Sequence, residues 1–85
     1  MEKTHLDPII VGRVLAQFRT QKGLSQEVVS GLADIGRSHL SAIERGERKP
    51  TLETFYRLGE ALEVSPSAVL AEIEKRMKES LTGEQ

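Results

Sequence analysis

The sequence predicts an all-α domain of five helices. Apolar residues recur at helical spacing along most of the chain, and capping residues and prolines mark several helix starts. No segment alternates between apolar and polar residues as a half-buried strand does. A chain of 85 residues, 38% of them hydrophobic, is long enough for one small domain. With two Phe, one Tyr and no Trp, its core must be mainly aliphatic.

The first helix is predicted at residues 8–21, after an N-terminal tail at residues 1–7. Asp7 can cap this helix, and Pro8 suits its first position because the proline lacks only an N–H that would stay unpaired there. Gly23 favours the end of the helix. The apolar face that should pack on the core consists of Ile10, Val11, Val14, Leu15 and Phe18.

A second helix is predicted at residues 26–33 and a third at residues 37–45. Ser25 can cap the second helix, whose apolar stripe consists of Val28, Val29, Leu32 and Ala33. The short segment between the two helices requires a sharp turn. Asp34 is expected there in the left-handed conformation, which Asp tolerates better than most residues. The apolar residues expected to face inward next to this turn are Ile35, Leu40 and Ile43.

Thr51 is expected to cap a fourth helix, and Ser65 followed by Pro66 should open a fifth. The fourth helix is predicted to bury Leu52, Phe55, Leu58, Ala61 and Leu62. The stripe of the fifth helix consists of Val69, Leu70, Ile73 and Met77. We therefore predict one domain at residues 8–81, followed by a frayed tail at residues 82–85.

Composition excludes several classes of function. The net charge of −1 argues against a general polyanion binder, and the absence of Cys excludes disulfides and cysteine metal sites, as in a cytoplasmic protein. No apolar run is long enough to span a membrane, and no signal peptide is recognisable. With two His and no Gly-rich phosphate loop, we expect neither an enzyme nor a metal site, a cofactor or a small-molecule ligand.

The charge is unevenly distributed along the chain. Residues 1–50 carry eight Lys or Arg and six Asp or Glu, whereas residues 51–85 carry four and seven. The first part therefore has a net charge of +2 and the second a net charge of −3. This layout suits a nucleic-acid binder that dimerises through its other end, and it is equally compatible with random surface charge.

Two helices joined by a three-residue turn have the helix-turn-helix geometry. The segment from Leu24 to Gly46 resembles the phage-repressor family (Cro/CI-type, also called XRE-like). The residues that carry the resemblance are Leu24-Ser25-Gln26-Glu27, Leu40, Ile43-Glu44-Arg45-Gly46, Pro50-Thr51-Leu52 and the segment Leu58 to Pro66. Ser30 and Asp34 depart from the usual Ala and Gly of the family. The resemblance covers about residues 9–70 and implies a regulator that binds double-stranded DNA.

In this geometry the first residues of the third helix reach base edges in the major groove. We predict four base-contacting residues: Arg37, Ser38, Ser41 and Ala42. Arg37 can donate two hydrogen bonds to a guanine, the two serines can donate or accept, and Ala42 can contact a thymine methyl. Alternatively, Arg37 is only solvated and the serines only satisfy local backbone groups.

A second set of residues is predicted to contact phosphates: Gln26, Gly36, His39, Arg45, Arg48 and Lys49. The resemblance implies that Gln26 clamps a phosphate, although it could instead pair with Glu27 or only be solvated. His39 could instead pack as a partly buried ring against the second helix. Helix N-termini also offer free N–H groups to phosphates, whereas the charges of the loop after the third helix could serve only solubility.

Two further expectations concern Glu44 and the quaternary structure. Glu44 should be structural, because a carboxylate repels phosphate, and it should pair with Arg13 or Arg19. One domain of this size makes few DNA contacts, so we expect a homodimer on a palindromic operator. The predicted interface residues on the fifth helix are Val69, Ile73 and Met77, unless they complete the core of the monomer.

The length of the chain also resembles stand-alone regulators such as restriction-modification controller proteins, which act as small dimers. Met77 and Leu81 lie beyond what a five-helix core needs, which favours a dimer. The alternative function is that of an antitoxin-type interaction module, which binds a toxin partner and represses its own promoter.

Overall fold

A computed structural model describes residues 5–81 and contains five helices within that range. They are α1 (Pro8–Gln21), α2 (Gln26–Ala33), α3 (Arg37–Glu44), α4 (Leu52–Ala61) and α5 (Pro66–Leu81). The predicted all-α class is confirmed, and α3 ends one residue earlier than expected. Residues 1–4 and the predicted frayed tail at residues 82–85 lie outside the described part of the chain.

Side-chain caps begin four of these helices, as predicted. Asp7 Oδ1 accepts a hydrogen bond from the Ile9 N–H at 2.9 Å, which opens α1. The caps of α2, α4 and α5 are hydrogen bonds of 3.1 Å to the hydroxyls of Ser25, Thr51 and Ser65. Because these bonds satisfy N–H groups that have no partner inside the helix, they fix where each helix starts.

The core is aliphatic, and α1 lies at its centre against α3 and α5, while α2 packs on α3 and α4. Its fully buried large side chains are Leu15, Leu40, Ile43, Leu58, Leu62, Ile73, Val14, Val29 and Val69. The inward positions predicted for α1 and α3 are therefore confirmed. None of the helices described is long and apolar enough to cross a membrane.

Four positions of the predicted apolar stripes are wrong. Val28, Leu32, Leu52 and Leu70 are exposed, with Leu52 84% accessible. Ser30 and Thr54 take the buried places instead. The Ser30 hydroxyl donates to the Glu27 carbonyl at 3.1 Å, so this polar group is satisfied where it is buried.

The predicted dimer interface needs correction at two positions. Val69 and Ile73 are 0% and 1% exposed, because α5 uses them to close the core of its own chain. Met77 is half-buried against that core, and its Sδ lies 3.4 Å from the Asp7 N–H. Leu81 remains 81% exposed, and Leu70 is 39% exposed. A partner could therefore contact α5 only through its other residues.

Two helix ends adopt the left-handed conformation without glycine. Asp34 ends α2 with φ 59° and ψ 46°, as predicted. Glu63, which follows α4, has φ 58° and was not anticipated, since its sequence gives no local signal for that conformation. Asp34 lies in the turn between α2 and α3, and Glu63 lies in the turn between α4 and α5.

Gly12 allows α1 and α3 to approach each other closely. A Cβ atom built on this residue would lie 2.3 Å from the Ile43 carbonyl oxygen and 2.6 Å from that of Glu44. Both partners are backbone atoms, which cannot rotate away. Glycine at this position therefore sets the distance between α1 and the C-terminal end of α3.

Candidate nucleic-acid interface

The turn between α2 and α3 is held by backbone hydrogen bonds. The Asp34 N–H donates to the Gly31 carbonyl at 3.2 Å, and the Ile35 N–H donates to the Ser30 carbonyl at 3.0 Å. These bonds close the end of α2 while Asp34 reverses the chain. The arrangement is the two-helix unit that the sequence predicted.

The outer face of α3 presents the four predicted base-contacting residues together. Arg37 and Ser38 are exposed in the first turn, and Ser41 and Ala42 are half-buried one turn later. Leu40 and Ile43 are buried on the opposite face. Because residues three and four apart in a helix lie on the same side, the four residues form one continuous strip along α3.

The start of α3 differs from the starts of the other four helices. Gly36 is its N-cap, with extended backbone, and no side chain caps the first turn. The first N–H groups of α3 are therefore left to solvent or to a ligand. His39 is half-buried in the same turn.

A largely buried ion pair fixes the other end of α3. Arg19 of α1 donates from Nε to Glu44 Oε2 at 2.7 Å and from Nη2 to Glu44 Oε1 at 2.9 Å. The side chains of Arg19 and Glu44 are 15% and 7% exposed. Of the two partners proposed for Glu44, the structure selects Arg19, and the structural role of Glu44 is confirmed.

Two more hydrogen bonds extend this pair, and we call the four residues Arg19, Leu24, Gln26 and Glu44 the inner network. Arg19 Nη1 donates to the Leu24 carbonyl at 2.8 Å, and Gln26 Nε2 donates to Glu44 Oε1 at 2.8 Å. The hydrogen bond to Glu44 raises the pKa of Arg19 above its ordinary value. The network joins α1, the start of α2 and the end of α3.

Gln26 pairs with Glu44 rather than with Glu27, the alternative suggested by the sequence. Its bond to Glu44 uses one N–H of the amide and leaves the second N–H and the amide oxygen to other partners. Gln26 also lines an open cleft together with Arg19, Ser25, Glu27 and Arg37. The predicted phosphate clamp and the predicted guanine reader therefore share one cleft.

An exposed ion pair follows directly after the inner network, and we call it the outer pair. Arg45 donates from Nε and Nη2 to the two carboxylate oxygens of Glu47, both at 2.9 Å. Arg45 Nη1 donates to the Ser41 hydroxyl. The side chains of Arg45 and Glu47 are 54% and 59% exposed. The hydrogen bond between them lowers the pKa of Glu47 and raises that of Arg45.

Three other predicted contact residues carry charge that no carboxylate neutralises within residues 5–81. They are Arg37, Arg48 and Lys49, all of them exposed. Arg48 and Lys49 lie in the loop between α3 and α4. Arg37 therefore belongs to the strip of base-contacting residues, and the other two cations follow α3 in the chain.

Sequence reasoning missed two contributors to this surface. Gly12 determines how closely α3 approaches α1, yet in a single sequence it reads only as a weak helix former. Glu47 lies two residues after Arg45 in the charged loop, and this spacing is the sequence signal that could indicate their pairing. Over the described range 5–81, no three His, Asp or Glu side chains are grouped so that they could share a metal ion.

The helix-turn-helix unit of this chain is shared with known proteins. A family model described as helix-turn-helix matches residues 15–69. The HTH-type transcriptional regulator y4dJ of Sinorhizobium fredii is 45% identical over 56 residues, which cover 66% of this chain and 73% of y4dJ.

Two solved structures resemble this fold over most of the chain. The restriction-modification controller protein C.AhdI from Aeromonas hydrophila is 35% identical with a TM-score of 0.73, covering 76% of this chain and 98% of C.AhdI. The clp gene regulator ClgR from Corynebacterium glutamicum is 25% identical with a TM-score of 0.85, covering 95% of this chain and 86% of ClgR.

Proposed function

The chain belongs to the helix-turn-helix (XRE-like) family and is a DNA-binding transcriptional regulator; on this basis we propose that it binds a palindromic operator as a homodimer, with α3 in the major groove. The observation that supports this most strongly is the strip of base-contacting residues on α3. Its first two residues are exposed and its last two are half-buried, with Leu40 and Ile43 buried behind them. Two exposed cations, Arg48 and Lys49, follow α3 in the chain. We place this regulator in the cytoplasm together with its DNA, and binding alone accounts for its function without catalytic activity.

We assign sequence reading chiefly to Arg37. Its exposed guanidinium has no partner within residues 5–81, so it can donate two hydrogen bonds to a guanine without breaking an existing interaction. Ser38, Ser41 and Ala42 complete the strip with two hydroxyls and a methyl group. Their smaller size lets the backbone of α3 approach the bases.

We assign the phosphate contacts to the residues around this strip: Gln26, Gly36, His39, Arg45, Arg48 and Lys49. Gln26 is held in place by Glu44 and keeps a second amide N–H for a phosphate oxygen. Gly36 begins a helix whose first N–H groups have no side-chain cap, an arrangement that favours anions. These contacts position α3 and carry no sequence information themselves.

We place the dimer contact at an apolar groove beside α5. Leu52 and Leu70 are exposed at this groove, and Phe55 and Ile73 also line it. This groove replaces the predicted interface of Val69, Ile73 and Met77, which are buried or half-buried in the core of their own chain. Lys49 lies at its edge, so a second copy bound here would adjoin the DNA-binding surface.

The test is selection of bound fragments from genomic DNA, followed by competition with altered duplexes. Enriched fragments should share an inverted repeat whose half-sites lie about one helical turn, roughly 34 Å, apart. In the Arg37→Ala variant we expect discrimination between the preferred and the altered base pair to fall by about 1–3 kcal/mol. Lys75→Ala, an exposed cation change on α5, should leave discrimination unchanged. Unbiased recovery of fragments by the unmodified protein would contradict the proposal.

The dimer is tested separately by analytical ultracentrifugation. Leu52→Glu should shift the protein toward monomer, because it places a charge in the apolar groove. Leu32→Glu is the matched control, since Leu32 is also exposed (66%) but lies on α2. A dimer that survives Leu52→Glu and dissociates with Leu32→Glu would move the interface to α2.

A further inference from the structure

Arg45 differs from the other two cations after the start of the loop, Arg48 and Lys49, because its guanidinium is already paired with an acidic residue of the same chain. Both oxygens of Glu47 accept hydrogen bonds from Arg45 at 2.9 Å, and Ser41 accepts from the remaining guanidinium nitrogen. Arg48 and Lys49, in contrast, have no carboxylate partner within residues 5–81. All three nitrogen atoms of the Arg45 guanidinium are therefore engaged before DNA arrives.

We propose that Glu47 competes with DNA phosphate for Arg45, and that it thereby limits how tightly this regulator holds DNA of any sequence. The inference rests on the proposed function, because it requires the C-terminal end of α3 to face the DNA backbone. It adds a role for a residue that makes no favourable contact with DNA itself.

The competition follows from the shape of the groups involved. A carboxylate and a phosphate both present two oxygens to the planar fork of a guanidinium, so they use the same donors. A phosphate that displaces Glu47 then lies near the released Glu47 carboxylate, and the two negative groups repel each other. Both effects reduce the gain in free energy that Arg45 can contribute to binding.

The exposure of the outer pair keeps this competition reversible. Both side chains are more than half exposed, so Arg45 can turn from Glu47 to a phosphate without any change in the core. Exposed ion pairs are weak, and Glu47 is therefore a modest restraint rather than a block. When Arg45 turns away it also releases the Ser41 hydroxyl, which lies on the base-contacting strip.

The experiment measures the binding of Glu47→Gln to a fluorescent duplex of randomised sequence, by anisotropy at several salt concentrations. The variant keeps the size of the side chain and removes its charge. We expect binding to be about two- to fivefold tighter, the range that an exposed ion pair can account for. The slope of log K against log salt should steepen by at most about 0.9, because Arg45 contacts its phosphate in a larger fraction of the complexes.

Two controls separate this role from a general effect of net charge. Glu53→Gln removes the same charge and also breaks an exposed pair, in which Arg57 donates to Glu53 at 2.8 Å on α4. It should change affinity far less than Glu47→Gln. In an Arg45→Ala background, Glu47→Gln should give no gain in affinity and no change in slope.

Equal gains from Glu53→Gln and Glu47→Gln would overturn the inference, and so would a gain that persists without Arg45. Unchanged binding by Glu47→Gln, with the unmodified protein binding normally, would overturn it as well. If the unmodified protein and all variants are folded by circular dichroism but fail to bind any duplex, the proposed function itself is wrong.

Discussion

Two arginine–glutamate pairs of nearly the same geometry meet at consecutive residues of this molecule. Glu44 accepts two hydrogen bonds from Arg19 at 2.7 and 2.9 Å, and Arg45 donates two to Glu47 at 2.9 Å each. The side chains of the first pair are 15% and 7% exposed, whereas those of the second are 54% and 59% exposed. The pairs differ far more in burial than in hydrogen-bond length.

Burial determines what each pair can do. Arg19 and Glu44 have lost most of their water, so neither charge can leave the other without a large penalty in free energy. This pair therefore fixes α3 against α1. Arg45 and Glu47 keep their water and can exchange partners readily. Glu44, which belongs to the pair that joins two helices, is thus followed directly by Arg45, which belongs to the pair that we propose adjusts binding.

The largest effect should come from Glu44→Ala, which breaks the buried pair. The variant leaves the Arg19 guanidinium nearly buried without its carboxylate, and we expect the free energy of unfolding to fall by about 3 kcal/mol. Urea denaturation followed by circular dichroism measures this loss. Glu47→Ala is the matched control in the outer pair, and its unfolding midpoint should stay close to that of the unmodified protein, because an exposed ion pair contributes little to stability.

Similar losses from Glu44→Ala and Glu47→Ala would contradict the distinction between the two pairs. Gln26 offers a finer check, because its amide also donates to Glu44. The Gln26 side-chain N–H resonances should shift strongly in Glu44→Ala and stay in place in Glu47→Ala.

A smaller effect is expected from Gly12→Ala, which disturbs the buried pair without removing a charge. The new methyl group would meet the Ile43 carbonyl oxygen at 2.3 Å, so α1 and α3 must move apart. We expect a loss of about 2 kcal/mol in the free energy of unfolding, typical of overpacking. DNA affinity should fall as well, because α3 is displaced.

Gly31→Ala is the control for this substitution. Gly31 is also inside a helix, but a Cβ there meets no atom within 4 Å. Alanine should therefore stabilise the protein by about 0.5–1 kcal/mol through its better helix propensity. If both alanine variants were stabilised, close helix approach at Gly12 would be refuted.

The smallest effect concerns the titration of the outer pair. The hydrogen bond from Arg45 lowers the pKa of Glu47 below its ordinary value of 4.5. Because the pKa is depressed in the folded state, the contribution of the pair to stability is present above the unfolded pKa and is lost as the pH falls through the folded value. Carbon-13 NMR of the Glu47 carboxyl group should show ionisation persisting below pH 4.5. In Arg45→Ala the titration should return to the ordinary value, and identical curves would mean that the pair does not form in solution.

The sequence was sufficient to predict features that depend on local chemistry. Asp7, Ser25 and Thr51 cap their helices as expected, since a cap requires only a side-chain oxygen next to free N–H groups. Asp34 adopts the left-handed conformation for a similarly local reason. The helix-turn-helix unit was likewise predictable, because its turn and flanking stripes lie within one short segment.

Features that depend on distant parts of the chain were not predictable in the same way. Arg13 and Arg19 lie on the same helix, and only the packing of α3 decides that Arg19 meets Glu44. Leu52 is a large aliphatic residue of the kind expected in a core, yet it lies on the exposed face of its helix. The role of Gly12 depends on carbonyl groups of α3, which no local pattern reveals.

The two left-handed turns leave room for engineering. Asp34 and Glu63 both bear side chains at backbone angles that glycine adopts more readily. Replacing each with glycine should relieve up to about 1 kcal/mol of conformational strain. Neither position belongs to the strip of base-contacting residues or to the apolar groove. Laboratory selection for heat tolerance could therefore raise the thermal stability of this regulator without altering which DNA sequences it binds.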